Sequence, residues 1–326
     1  MKLLNRFVAV VLISYLGSVS SVSAGVIDVL NQNNLIVFGD LNSNSEVEGR
    51  TLIGGSIIGN QISNYGIHLP VNNSITDYAL TVAGNISKLQ VNSSYGVLVG
   101  GNYQQIQNAK VIDKMIAANS VVDFTQLESD FLGFSSFLKG LTPNSHLSAP
   151  TDQPAAAHFN VAQGLTDSLS VFSFSEASFF GNNKIQQYDL GLGNESPASI
   201  VFNVSGKNIS DAFLGNAVGN IVSEQWRDKI IWNFFEAESI DLHKQFNGSI
   251  LAPLAHLKNR TPIEGSVVVK SFTQRGEVHL STYQGKGLES FDAKQPNLTV
   301  PEPTSAILLF FAFLTLISIR NGHKRA

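Results

Sequence analysis

The sequence predicts a mainly β fold: an irregular right-handed β-solenoid with one long α-helix, about residues 123–141, packed alongside. A β-sandwich is the alternative architecture. Three observations lead there. Between residues 34 and 104, short β-branched runs alternate with Gly and Asn, and no helical period is sustained. A small unit recurs, Gly then Asp, Asn or Ser then an apolar residue, starting at Gly39, Gly55, Gly84, Gly101, Gly248 and Gly265. Gly84 to Gly101 and Gly248 to Gly265 are both steps of 17 residues, near one coil of a solenoid. Finally, one segment alone carries an apolar stripe at helical spacing.

The elements follow in order. Leu35–Phe38, Thr51–Ile53, Ser56–Ile58, Leu80–Val82 and Gly96–Val99 read as strands. The repeated Gly is expected at coil corners, where it takes φ > 0 and Asn tolerates it. Phe124, Leu127, Phe131, Phe134, Leu138 and Leu141 are spaced 3, 4, 3, 4, 3, which places them on one helix face. Asp123 caps the start and Thr142-Pro143 stops the end. Gln126, Glu128, Ser129, Asp130, Ser135 and Lys139 make the opposite, polar face. Residues 142–168 are rich in Pro, Ala and Ser and read as loop. Strands resume at 168–174, 184–190, 199–205, 228–235 and 239–242, while 211–223 fits no single pattern.

Composition bounds the function. The 326 residues include no Cys, which excludes a disulfide framework, a cysteine nucleophile and a thiolate metal site. Only 14% are charged and the net charge is −4, so no basic footprint for nucleic acid exists. Both ends read as addresses. Lys2 and Arg6 precede the apolar run Phe7–Leu16, and Val22-Ser23-Ala24 ends a signal peptide over residues 1–24, cut after Ala24, with the general secretion (Sec) machinery as the partner in export. At the other end Val300-Pro301-Glu302-Pro303 precedes the apolar run Ala306–Ile319 and then Arg320, Lys324 and Arg325. Fourteen apolar residues followed by positive charges suit a transient stop in an inner membrane, with the basic end cytoplasmic. The prolines keep the preceding stretch extended and open to a protease. Removing Lys2, Arg6, Arg320, Lys324 and Arg325 lowers Lys+Arg from 21 to 16 against 25 Asp+Glu, a net charge of −9.

This tripartite tail, residues 300–326, resembles the PEP-CTERM sorting signal of Gram-negative bacteria. The resemblance implies an exosortase-type enzyme as partner and display at the cell envelope, the outer surface or the extracellular matrix. The body carries a second resemblance. Leu35–Asp40 (LIVFGD), Val47–Gly55 (VEGRTLIGG), Phe246–Ala255 (FNGSILAPLA), Ile263–Val268 (IEGSVV), Glu277-Val278-His279 and Tyr283-Gln284-Gly285 stand in the order of the choice-of-anchor A family. That likeness spans about 28–285. It implies an ice-binding-like adhesive solenoid with a helix beside it, and brings no catalytic residues. The domains expected are a signal peptide (1–24), an adhesive domain (25–285), a spacer (286–299) and the sorting signal with a transmembrane helix at 306–319.

Little in the sequence points to catalytic chemistry. The seven His are scattered, none at i, i+4 or i, i+2, and neither a G-x-S-x-G elbow nor a P-loop is present. An enzyme is not expected, nor is any catalytic residue. Asp40, Asn42, Asn44 and Glu46 alternate oxygen donors as a Ca²⁺ loop does. Ser45 stands where the central Gly belongs and Thr51 where the bidentate Glu belongs, which favours a polar turn, and no cofactor is expected. Glu48 and Glu264 each precede a Gly, and stacked coils could bring them together; solvent-facing coil corners are the expected place. The expected role is a non-enzymatic surface or matrix adhesin, with an exopolysaccharide or another surface ligand as partner. Its alternatives are an exopolysaccharide-binding or -processing protein, or an ice-binding protein. Adhesion implies a broad polar surface, so no single residue is marked as the ligand site.

Overall fold

In a computed structural model, described over residues 25–74, 77–115 and 122–291, the chain coils and stacks its strands in parallel. One column runs through Leu169–Ser175, Ser199–Ser205, Ile230–Asn233, the start of Ser249–Asn259 and the start of Val267–Gln274. It continues through Asn33–Val37, Arg50–Ile53, Tyr78–Val82, Gly96–Val99 and Ile112–Lys114. A second column holds Asn208–Ser210, Ser239–Leu242, the later parts of the two long strands, Leu41–Ser43 and Ile57–Ile58. A third holds Phe246–Asn247, Ile263–Glu264, Val278–His279, Glu46–Val47 and Ser63–Tyr65. Every pairing in these columns is parallel, which sets the β-sandwich aside. Ala24, the sorting residues Val300, Pro301, Glu302, Pro303, Arg320, Lys324 and Arg325, and the run 306–319 lie outside the described residues.

The coil length matches the repeat. Leu80 stacks on Val97 and Ile250 on Val267, each one step of 17 residues. Gly39, Gly55, Gly84 and Gly101 stack directly, each N–H bonding the carbonyl of the one before at 2.8–2.9 Å, and Gly39 itself bonding Lys270 O. Their φ angles are not left-handed, contrary to expectation. Gly is needed because the corner brings backbones into contact: a Cβ on Gly55 would lie 2.4 Å from the carbonyl carbon of Gly39. In every unit but that of Gly101, the next residue supplies a side-chain oxygen to the coil beside it. Asp40 Oδ1 accepts from Ser56 N at 2.8 Å, Ser56 Oγ from Asn85 N at 3.0 Å, and Asn85 Oδ1 from Asn102 N at 2.8 Å. This ladder explains why the second position is always Asp, Ser or Asn. Gly248 and Gly265 do take positive φ, +103° and +150°, as predicted.

The stacking order is not the chain order. The chain enters mid-stack at Asn33–Val37 and coils to Ile112–Lys114, then returns along a helix to the far end. That helix is Phe124–Lys139, with Asp123 accepting from Thr125 N and Gln126 N and Gly140 closing it, two residues short of the predicted end. Sixteen residues give about 24 Å, and the helix runs from Phe124 against Gly54 to Leu138 at Asn203, five strand spacings of about 4.8 Å away. Leu127, Phe131, Phe134 and Leu138 are buried as predicted, over an outward row that includes Leu251, Val268 and Ile36. Asp130 and Ser135, assigned to the polar face, are buried too. Ser135 is there because the stack offers it a partner. Asn233 accepts from its hydroxyl at 2.6 Å and donates to its carbonyl, while Asn203 donates to Leu138 O.

Three expectations change. A helix at Val26–Gln32, read by no sequence signal, buries Val26, Ile27 and Leu30. The 142–168 loop contains strands His146–Ser148 and Ala155–Asn160, which join Ile185–Gly191 and Asn216–Ala217 in a separate four-stranded sheet. Its alternation of inward Ala157 and Phe159 was hidden by the flanking Pro and Ser. Phe159 joins an aromatic core with Phe202 at 4.5 Å, and Phe202 stacks on Trp232 at 4.2 Å. The domain also extends past Gly285: Leu288 and Phe291 are buried, and Phe291 lies 5.2 Å from Phe134.

Candidate functional site

The last coil of the chain closes on the first, and this seam gathers the molecule's unusual polar chemistry. Leu35 pairs with Val267, Leu41 with Phe272, and Val47 with Val278. Side chains fasten the joint. Asn34 donates to Gly265 O and His279 O, Ser266 to Leu30 O and Asn33 O, and Ser43 to Gln274 Oε1.

An open cleft of about 390 Å³ lies across the seam. Asn42, Ser43 and Asn44 come from the first coil, Ile58, Asn60 and Gln61 from the second, and Arg275 from the last. The Arg275 guanidinium is fixed end-on. Nη1 donates to Asn42 O at 3.0 Å and Gln274 O at 2.8 Å, and Nη2 to Asn42 Oδ1 at 3.3 Å. Its backbone N–H bonds Asn259 Oδ1. No carboxylate pairs with it among the described residues. Asn44, Asn60 and Gln61 are exposed, and Ile58 is 44% exposed beside them.

The structure spreads the four oxygen donors of the supposed Ca²⁺ loop over the faces of one coil. Asp40 is spent on Ser56 N, Asn42 on Arg275, and Glu46 Oε1 accepts from Asn64 Nδ2 at 2.7 Å. Of the four, only Asn42 and Asn44 line the cleft, beside the Arg275 guanidinium. Among the described residues, no group of three or more His, Asp or Glu is placed to hold a metal ion.

Glu48 and Glu264 flank His279 at the seam rather than pairing with each other, and they are not in solvent. Their side chains are 13% and 8% exposed, and His279 lies between them in register. His279 Nδ1 contacts Glu264 Oε1 at 2.9 Å and Nε2 contacts Glu277 Oε2 at 2.6 Å. Arg227 Nη1 is 3.1 Å from Glu264 Oε2, and Gln245 Nε2 donates to Oε1. Glu48 accepts from Leu280 N at 2.7 Å and contacts His68 at 2.9 Å. Burial alone would push the His279 pKa down; its bonds to Glu277 and Glu264, and the charges of Glu264 and Glu48, hold it above the ordinary imidazole value. Both carboxylate oxygens of Glu264 and of Glu48 therefore have a partner, while Glu277 is held through Oε2. The sequence marked His279 only as part of the Glu277-Val278-His279 likeness, with no role, and gave no sign of Arg275, whose Gln-Arg pair at a strand end carries no motif.

The outward rows beside the cleft are mixed. One runs Asn208, Ser239, His256, Ser271; the other Ser210, Asp241, Lys258, Thr273, Asn42, Ile58. His256 bridges Ser271 Oγ and Thr273 Oγ1.

A family model described as "Putative Ice-binding-like adhesive domain" matches residues 26–280. The chain belongs to this ice-binding-like adhesive domain family. The match covers the whole stack and the helices Val26–Gln32 and Phe124–Lys139. Similar solved structures include an ice-binding protein from an Antarctic biological consortium, at 10% identity, with 85% of this chain and 94% of that one covered and a TM-score of 0.35. A domain of an ice-binding protein from Shewanella frigidimarina shows 11% identity, coverage of 82% and 100%, and a TM-score of 0.35. An ice-binding protein from the Antarctic ascomycete Antarctomyces psychrotrophicus shows 12% identity, coverage of 79% and 97%, and a TM-score of 0.31. No curated protein matches the sequence.

Proposed function

We propose that the chain is an exported, non-enzymatic adhesive module displayed on a Gram-negative cell surface or in its matrix. The observation that carries this reading is the family match over residues 26–280. The export pattern at 1–24 and the sorting pattern at 300–326 support it from the sequence. The Sec machinery delivers the chain, the tail holds it briefly at the inner membrane, and an exosortase-type enzyme processes it near Pro301-Glu302-Pro303. No cofactor takes part.

The test is an epitope-tagged full chain in an exosortase-bearing host, with and without Pro301-Glu302-Pro303. The intact tail should give a shorter product, antibody access on whole cells and increased attachment. Identical size and location in both, or no change in attachment, would remove the proposal. A second reading, ice binding, is favoured by the same family description. It asks for a flat row of Thr or small residues, whereas the rows beside the cleft include His256, Asp241, Lys258 and Ile58. Thermal hysteresis of the purified chain decides between them.

A further inference from the structure

We propose that the seam cleft binds the carboxylate of a uronate unit in a sparsely charged polysaccharide, through the side-on edge of Arg275. This rests on the adhesive reading and names its ligand chemistry. The guanidinium has five N–H donors. Two on Nη1 and one on Nη2 are committed to Asn42 and Gln274. The remaining two, on Nε and Nη2, lie parallel on the other edge, the geometry that takes a carboxylate bidentately. No described residue accepts from that edge. The three committed bonds hold the fork still, so little side-chain freedom is lost on binding.

The rest of the cleft suits a sugar. Hydroxyls need donors and acceptors in one place, and the side-chain amides of Asn44, Asn60 and Gln61 are exposed with no described protein partner. Ile58, 44% exposed, offers an apolar patch to the C–H face of a ring. An open cleft accepts an internal unit of a polymer, whose chain must leave at both ends. The segment between the two addresses carries a net charge of −9, from 16 Lys+Arg against 25 Asp+Glu, so a dense polyanion is repelled while isolated carboxylates are not. A calcium ion is not the ligand, because Arg275 occupies Asn42.

The full chain is titrated calorimetrically with hyaluronan oligosaccharide, neutral dextran, dextran sulfate and CaCl2. Binding is expected for hyaluronan alone. Arg275→Ala should weaken it at least about tenfold, and Arg275→Lys should not restore it. Asn60→Ala and Gln61→Ala touch no protein partner, so they test the cleft without a folding risk; each should weaken binding several-fold. Equal affinity for dextran, tighter binding of dextran sulfate or CaCl2, or an unchanged Arg275→Ala affinity would overturn the proposal. If hyaluronan fails while tagged cells still attach, this inference falls and the adhesive reading stands.

Discussion

Replacing Gly55 with Ala tests whether the corner glycines exist for close approach. Gly55 has no left-handed φ to relieve, so a conformational argument predicts little change or a small gain. The stacking argument predicts a loss. The new Cβ would lie 2.4 Å from Gly39 C and 2.5 Å from both Gly39 O and Asp40 Oδ1, about 1 Å inside ordinary contact. Two backbone rungs cannot separate there without stretching Gly55 N–Gly39 O, 2.9 Å, and Ser56 N–Asp40 Oδ1, 2.8 Å. Overpacking costs about 2 kcal/mol, and the two weakened bonds about 1 kcal/mol each. The stiffer unfolded chain returns about 0.5–1 kcal/mol, leaving a net loss of about 3 kcal/mol. Gly140→Ala is the control. Gly140 is right-handed at φ −78°, and its added Cβ meets nothing nearer than 3.4 Å, so a gain of about 0.5 kcal/mol is expected. Urea unfolding of the purified chain measures both. A Gly55→Ala midpoint within about 0.5 kcal/mol of wild type refutes the reasoning, as does an equal loss at Gly140.

Asn233 makes three buried hydrogen bonds, to Ser135 twice and to Asn203, so Asn233→Ala should lose about 3 kcal/mol in the same assay. Pairing it with Asn203→Ala should give a double loss smaller than the sum, and strict additivity would show that the ladder does not act as a unit. Asp130 is buried in the helix with Oδ2 unpartnered, and burial raises its pKa. A raised carboxylate pKa means the folded state binds the proton more tightly, so stability falls as pH climbs through the carboxylate range. Asp130→Asn should therefore stabilise at pH 7 by about 1 kcal/mol and give no gain below the ordinary Asp range; no gain at pH 7 rules this out. The His279 pKa is raised, so its contribution is complete below the imidazole value of 6.5 and is lost as pH rises through the higher folded value. Urea midpoints of wild type should fall from pH 6.5 upward more than those of His279→Gln, and parallel profiles would contradict the assignment.

What the sequence made legible is what each coil decides locally. The helix at Phe124–Lys139 announces itself in its 3–4 spacing and its Asp123 cap, because those interactions close within one turn. The strands at Ser199–Ser205 and Ser239–Leu242 are where the pattern placed them. The step of 17 is one coil in two separate parts of the stack. The Asp, Ser and Asn of the repeat were visible as a pattern, but their purpose was not, since each oxygen serves an N–H one coil away. Asp130 and Ser135 were misplaced for a related reason. Helix periodicity assigns a face by polarity, and a stack that presents Asn233 makes a polar residue welcome inside.

The seam escaped altogether, and the cleft with it. Leu35 and Val267 pair across almost the whole chain, and apolar rows alone do not say which coil lies on which. Either coil of any pair would bury its Val and Ile equally well. The helix resolves the ambiguity, because its length is a ruler. A helix of about 24 Å carries the chain past five coils before stacking resumes. Stacking that resumes beyond the first coil must then grow back toward it, so the last coil closes on Asn33–Val37. Arg275 and Asn42 meet only because of that closure. A helix one turn shorter would fall about 5 Å, one coil, short of Asn203 and Asn233. The clamp that ends the helix and the cleft at the seam therefore depend on the same sixteen residues.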